Sequence, residues 1–208
     1  MPWPILAKVG LAVGTTLLLE HGDDIVEGVM GLFEDDPPKR KPEVVKGLDN
    51  RLAKQERLVE VGAQGMPKLN AKQSNSASVI ASVCNVLEIF SKDERRGICM
   101  ALWVNAWHES RLKPGAHNPR GEDSRGLFQV NVRAHPYWAN VNLYDPAKNT
   151  ACILVLALKQ PKFLEAVASG SLAQLVYAVC RYVERPKNAH QSALRRVETA
   201  RQWYGANI

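Results

Sequence analysis

The sequence predicts a mainly α protein. A helical domain over residues 78–208 carries one small β element, and a helical N-terminal arm precedes it. Three observations support this. From Ser78 onward, apolar residues recur at helical spacing, beginning with Val79, Ile80, Val83, Val86, Leu87 and Phe90. A short strand-like run, Gly126-Leu127-Phe128-Gln129-Val130-Asn131, follows a long polar loop. Prolines and glycines stand between the periodic segments, where they stop helices or start them.

The arm divides into two parts, 1–42 and 43–77. Residues 3–19 are apolar except for Lys8, Thr15 and Thr16, and are about one membrane span long. Gly10 and Gly14 form a GxxxG spacing that would let two membrane helices approach closely. A membrane-inserted anchor, a hydrophobic helix held in a larger assembly and a cleaved leader all fit this run. No Ala-x-Ala site follows it, which weighs against the leader. Asp23 to Phe33 places Ile25, Val26, Val29, Leu32 and Phe33 on one helical face. Asp35 to Pro42 reads as a proline-rich linker. Glu43 to Val61 is a further amphipathic helix, and Gly62 to Ser78 reads as a second, flexible linker.

Within 78–208, Ser91-Lys92-Asp93-Glu94 is a capping box, so a second helix starts there and runs toward Glu109. Pro114 and Gly115 prevent its continuation. Asp145-Pro146 reads as an N-cap followed by proline at the first helical position. The helix it opens, Ala147 to Gln160, is apolar on nearly every side and is expected to be buried at the centre. Further helices are expected at 162–168, 171–184 and 188–204, with Pro161, Pro186 and Gly205 as punctuation.

The net charge of +6 is uneven. Residues 1–73 hold ten Lys/Arg against eleven Asp/Glu, and residues 74–208 hold seventeen against ten. An excess confined to the second part suits an anionic polymer, with cell-wall peptides among the candidates. Nucleic acid would fit the charge, but no basic aromatic patch or zinc-finger spacing accompanies it, so no nucleic-acid partner is expected. Cys84, Cys99, Cys152 and Cys180 lie in apolar helical segments without CxxC spacing. They read as small buried hydrophobes with free thiols. His108-Glu109 lacks the second histidine of a zinc peptidase, and His117 and His135 fall in no ligand spacing. No metal and no cofactor are expected.

The stretch Trp107 to Asn131 concentrates the chemistry: Glu109-Ser110 at a helix end, a polar loop with Asn118, Gly121, Glu122, Asp123 and Ser124, then Gly126 to Asn131. This layout resembles the lysozyme-like superfamily, above all the soluble lytic transglycosylases and their phage relatives. Their pattern is Glu-Ser, a polar loop, then Gly-Leu-(Met/Phe)-Gln-(Ile/Val). Tyr182-Val183-Glu184-Arg185-Pro186 resembles the aromatic-x-Glu-Arg-Pro motif of phage tail lysozymes. The resemblance covers 78–205 and implies a lysozyme-like fold that cleaves the bond between the sugars of peptidoglycan, with Glu109 as general acid and base. An apolar setting near Trp103 and Trp107 would raise the pKa of such an acid.

The second group is open. In animal-type lysozymes an aspartate stands two residues before the strand glycine; here that slot is Ser124. Asp123 is one residue earlier, and in a strand a shift of one turns a side chain to the opposite face. The resemblance therefore favours a lytic transglycosylase, which needs no second carboxylate. Hydrolysis through Asp123 or Glu122 is the alternative, as is a structural virion or sugar-binding protein on the same fold. Substrate contacts are expected from Ser110, Asn118, Gln129 and Asn131, from Tyr137, Trp138 and Tyr144 by stacking, and from Tyr182 and Glu184. Glu184 is expected either to pair with Arg185 on the cleft wall or to be a plain helix-end charge. Residues 1–73 would place the enzyme in a virion or at the host's periplasmic membrane face, through membrane or other virion proteins.

Overall fold

The computed structural model describes residues 65–206 and 208. The expectations for the apolar run 3–19 and the helices at 23–33 and 43–61 lie outside the described residues. No helix among those described is long and apolar enough to cross a membrane.

Helix α1, Ala71–Asn85, begins inside the stretch read as linker. The polar residues that look flexible in sequence are its cap. The Asn70 side chain accepts from the Gln73 backbone N–H, and the Gln73 side chain accepts from the Asn70 N–H, both at 3.0 Å. Met66 and Leu69 pack against the core ahead of it. Helix α2, Lys92–Ser110, starts at the expected capping box: the Ser91 N–H donates to Glu94 Oε2 at 2.7 Å, and Glu94 N–H donates to Ser91 Oγ at 3.3 Å. It ends by two consecutive left-handed residues, Arg111 and Leu112, both at φ 57°. This conformation is costly for a non-glycine residue. The complete burial of Leu112 offsets that cost and holds the chain end at Glu109 in place.

Three two-residue strands follow: β1, His117–Asn118, β2, Ser124–Arg125, and β3, Val130–Asn131. They form one antiparallel sheet in the order β1-β2-β3. The strand expected over 126–131 is confined to its last two residues. Gly126 at φ 79° and Gln129 at φ 49° take left-handed conformations that cannot belong to a strand, so 126–129 is a turn. Pro136–Trp138 is one turn of 3-10 helix.

Helix α3, Pro146–Leu158, has its Asp145 cap as expected, and nine of its thirteen residues are buried, which makes it the interior helix the sequence describes. Helices α4, Pro161–Ser169, and α5, Leu172–Ala178, follow. The helix expected over 171–184 continues past Ala178 as a π-helical segment, Val179–Glu184, which wider turns re-aim before Arg185 leaves at φ 48°. Helix α6, Ala189–Tyr204, closes the domain.

Helix α2 packs on α1, α4, α5 and α6, while α3 packs on α1, α4 and the π-helical segment. Ile98, Leu102, Val104, Leu127, Phe128, Leu154, Phe163 and Val176 form part of one continuous core. Trp103 Nε1 donates to Ala77 O at 2.9 Å and ties α2 to α1. All four cysteines are buried and free.

Candidate active site

The end of α2, the sheet, the turn at 126–129 and the end of the π-helical segment enclose a cleft of about 470 Å³. Its walls include Glu109, Asn118, Glu122, Ser124, Gln129, Asn131 and Glu184. These seven sequence candidates come together although they span 76 residues of chain, from Glu109 to Glu184.

The turn that carries Phe128 and Gln129 is held from below by Asn149 on α3. Its Nδ2 donates to Arg125 O and Leu143 O, each at 3.0 Å, and its Oδ1 accepts from the Phe128 N–H at 2.9 Å. Gly126 permits this close approach. A Cβ there would stand 2.1 Å from Leu143 O and 2.3 Å from Asn149 Nδ2. Phe128 is buried and contributes to the cleft floor, and Gln129 Nε2 donates to Gly126 O at 3.0 Å.

Ser124 is almost fully buried, and its Oγ donates to the exposed Glu122 Oε2 at 3.4 Å. Asp123 is not among the cleft residues. It stands at φ 51°, receives Arg125 Nη2 at 2.6 Å and contacts His117 Nε2 at 2.9 Å. Hydrogen bonds from Arg125 and then His117 draw its carboxyl down to about 2. Asp123 precedes β2 at a left-handed φ, so that local turn, and not the strand alternation expected from the sequence, sets its orientation relative to Ser124.

Five further candidates lie away from the cleft walls. Ser110 is buried, with its Oγ donating to Ala106 O at 3.2 Å and accepting from the Lys113 N–H, so it finishes the helix. Trp138 is only 2% exposed and presents no face for stacking, because the short 3-10 turn directs it inward. Tyr137 and Tyr144 are exposed; Tyr137 packs edge-on against Trp138, and Tyr144 packs edge-on against His117. Tyr182 lines a different, largely apolar depression with Tyr177, Lys162 and Glu165. Residues 179–184 are helical, so Tyr182 and Glu184, two apart, point different ways.

The surroundings of Glu109 differ from the apolar setting expected from Trp103 and Trp107. Glu109 pairs with the guanidinium of Arg196 on α6 through Nη2, and Glu184 pairs with the same guanidinium through Nη1. Nη1 also donates to Asn105 Oδ1 at 2.6 Å. Glu184 therefore pairs with Arg196 rather than with its neighbour Arg185. The Glu109 side chain is 20% exposed, against 5% for Arg196 and 4% for Glu184, so Glu109 is the member that meets the cleft. Burial pushes the Glu184 carboxyl up to about 8; Arg196 opposes the shift and the nearby Glu109 adds to it. Arg196 keeps its charge against burial because Glu184 and Glu109 flank it.

Sequence reasoning missed Arg196, Asn105 and the cleft residues His135 and Lys187, while Arg185 does stand on the cleft wall. A signal for Arg196 existed. Ala189, Ala193, Val197 and Ala200 mark the buried face of α6, and Arg196 is a charged residue on that face.

A family model described as phage tail lysozyme matches residues 99–206, which include the whole cleft. The chain belongs to the phage tail lysozyme family. Neither a curated protein nor a solved structure matches it. Membership makes this tail lysozyme a lysozyme-like, peptidoglycan-degrading phage protein, consistent with association with the virion. The matched region begins inside α2 and ends after α6, so Glu109, Ser124, Glu184 and Arg196 all fall within it.

Proposed function

We propose that this tail lysozyme cleaves the β-1,4 bond between N-acetylmuramic acid and N-acetylglucosamine as a lytic transglycosylase, with Glu109 as both acid and base. The observation that carries this reading is the pair Ser124 and Asp123. The residue turned into the cleft is a serine, and the neighbouring aspartate is turned out and held by Arg125 and His117. A nucleophilic or water-activating carboxylate is thus missing from the slot where an animal-type lysozyme would place it.

In the proposed reaction, protonated Glu109 gives its proton to the glycosidic oxygen as the bond from that oxygen to C1 breaks. The carbonyl oxygen of the sugar's own N-acetyl group closes on C1. The Glu109 carboxylate then removes the proton of the 6-hydroxyl, O6 bonds to C1, and the N-acetyl group is released unchanged. Asn118, Gln129 and Asn131 supply amide groups along the cleft for the sugar's polar atoms. Residues 1–73 are proposed to place the enzyme in the particle or at a membrane rather than to take part in cleavage.

Hydrolysis keeps one specific observation in its favour: Glu122 lines the same cleft and is exposed enough to hold a water. Mass spectrometry of products from purified peptidoglycan separates the two. Anhydro-muramic ends are expected. Reducing ends that vanish in Glu122→Gln would overturn the transglycosylase reading. Glu109→Gln is expected to lower turnover by at least about 100-fold with an unchanged fold, because an amide has no such proton to give. A folded Glu109→Gln protein that still cleaves at the normal rate would leave only a structural or sugar-binding role for this site.

A further inference from the structure

Several cations of this domain are taken up by its own carboxylates. Arg125 is held by Asp123, Arg196 by Glu109 and Glu184, and Lys162 by Glu165. Arg185 and Lys187 are different. Both are exposed, and both line the cleft where the π-helical segment ends. Neither side chain has a hydrogen bond or an ion pair with any described residue. Among the described residues they are the only arginine and lysine on the cleft walls.

The fold explains why Arg185 is left unpaired. Its chain neighbour Glu184 turns inward to Arg196, so the nearest carboxylate in sequence is already engaged. The Arg185 backbone is left-handed at φ 48°, its N–H donates to Cys180 O at 3.0 Å, and Pro186 follows. This tight exit separates a buried Glu184 from an exposed Arg185. A left-handed conformation is costly for arginine, and no side-chain contact within the domain offsets it. His135 stands in the same cleft and adds no charge at neutral pH, because burial and then the Arg185 charge draw its pKa below the usual histidine value. Glu122, on the sheet side, is exposed and pairs with neither cation. The cleft is thus positive on its π-helical side and negative on its sheet side.

The sugar rings of peptidoglycan are N-acetylated and uncharged. The carboxylates of a strand hang from the lactyl group of its muramic acid. Where no peptide is attached, the lactyl group ends in a carboxylate; where one is, the peptide supplies them. A guanidinium meets a carboxylate with two parallel N–H donors, and an ammonium meets it as a point charge.

We propose that Arg185 and Lys187 form a subsite for a carboxylate on the lactyl substituent of the muramic acid, so that the enzyme selects charged muramyl strands over uncharged N-acetylhexosamine polymers. The inference rests on the reading of this cleft as the glycan site. It adds selection and no step in bond cleavage. The amides of Asn118, Gln129 and Asn131 serve the neutral rings, and the two cations serve the charge. Glu122 repels the same carboxylate from the sheet side, which sets the way round in which a strand lies.

The test is affinity, measured by calorimetry on the full-length Glu109→Gln protein so that ligand is not consumed. Three ligands are compared: glycan strands that carry peptides, the same strands after amidase treatment, which leaves free lactyl carboxylates, and N-acetylglucosamine oligomers, which carry no carboxylate. Adding Arg185→Gln and Lys187→Gln is expected to weaken at least one carboxylate-bearing ligand about tenfold more than the uncharged oligomer. Whichever ligand weakens identifies the source, peptide or lactyl group. An equal loss for all three, or no loss, overturns the proposal. A second comparison needs no change at 185 or 187. Raising salt from about 0.05 to 0.5 M should weaken the carboxylate-bearing ligand about threefold or more relative to the uncharged one; equal salt dependence overturns the proposal. Asn118→Ala is expected to weaken all three ligands alike. No effect there overturns the cleft as the glycan site and this subsite with it, whereas an effect there without one from the two cations overturns the subsite alone. Reducing ends in product analysis would remove transglycosylation and leave the affinity ratio as it is.

Discussion

Asn149→Ala probes how the fold supports the cleft. The Asn149 side chain is fully buried and completes three hydrogen bonds to backbone groups of two separate loops. Alanine removes all three and provides no substitute. Leu143 O and the Phe128 N–H are then left in the interior, where an unsatisfied group costs about 1–3 kcal/mol. Arg125 O is partly accessible and regains water. The three losses are not additive, and about 3–5 kcal/mol is the expected total, a large share of the roughly 5–15 kcal/mol that holds a domain folded. Urea denaturation of the full chain followed by tryptophan fluorescence measures it, with Trp103 and Trp138 buried as reporters. Asn149→Asp sharpens the test. Its carboxylate keeps the Phe128 N–H but faces two carbonyls, so it is expected to be nearly as damaging at neutral pH and partly relieved in acid, where the protonated form can donate once. A loss below about 1 kcal/mol in Asn149→Ala would refute the argument that this side chain holds the turn. Cleavage should fall along with stability, because the same turn carries Gln129 into the cleft.

Gly126→Ala should fail to give stable folded protein in expression and melting trials, since its Cβ would overlap Leu143 O and Asn149 while the φ of 79° is already adverse; a melting point near the parent's would contradict this. Asp123→Asn should leave cleavage within about threefold of the parent, an estimate on the scale of surface substitutions; inactivity in a folded variant would restore Asp123 as a catalytic carboxylate. His108 is neutral in the fold down to about pH 4, whereas the unfolded chain protonates near 6.5. The unfolded state therefore binds more protons between those values, and stability is lost as pH falls through that window, by on the order of 1–3 kcal/mol. Urea midpoints for His108→Gln should be flatter between pH 7 and 4 than the parent's, and parallel curves would show that another group drives the acid loss.

The helix starts were legible because they arise from contacts within three or four residues. Ser91 with Glu94, and Asp145 with Pro146, act locally and form as their spacing implies. The same grammar was present at Asn70 and Gln73, but polar, glycine-bearing surroundings hid it and that stretch looked like a linker. The orientation of Asp123 was not readable from strand alternation, because Asp123 stands ahead of β2 at a left-handed φ of 51°. Nor was the burial of aromatics. Trp138 and Tyr182 were plausible sugar platforms in sequence, and only the packing of the 3-10 turn and the π-helical segment sent one inward and the other to a separate depression. The environment of Glu109 depended even more on tertiary structure. Glu109 and Arg196 are 87 residues apart in the chain, and Arg196 and Asn105 are 91 apart. They meet because α2, the π-helical segment and α6 pack against one another. No rule of spacing along the chain encodes that meeting: the sequence by itself determined that a glutamate would end a helix beside a polar loop, but a guanidinium reaches that glutamate's back only when the apolar faces of three elements have chosen their neighbours.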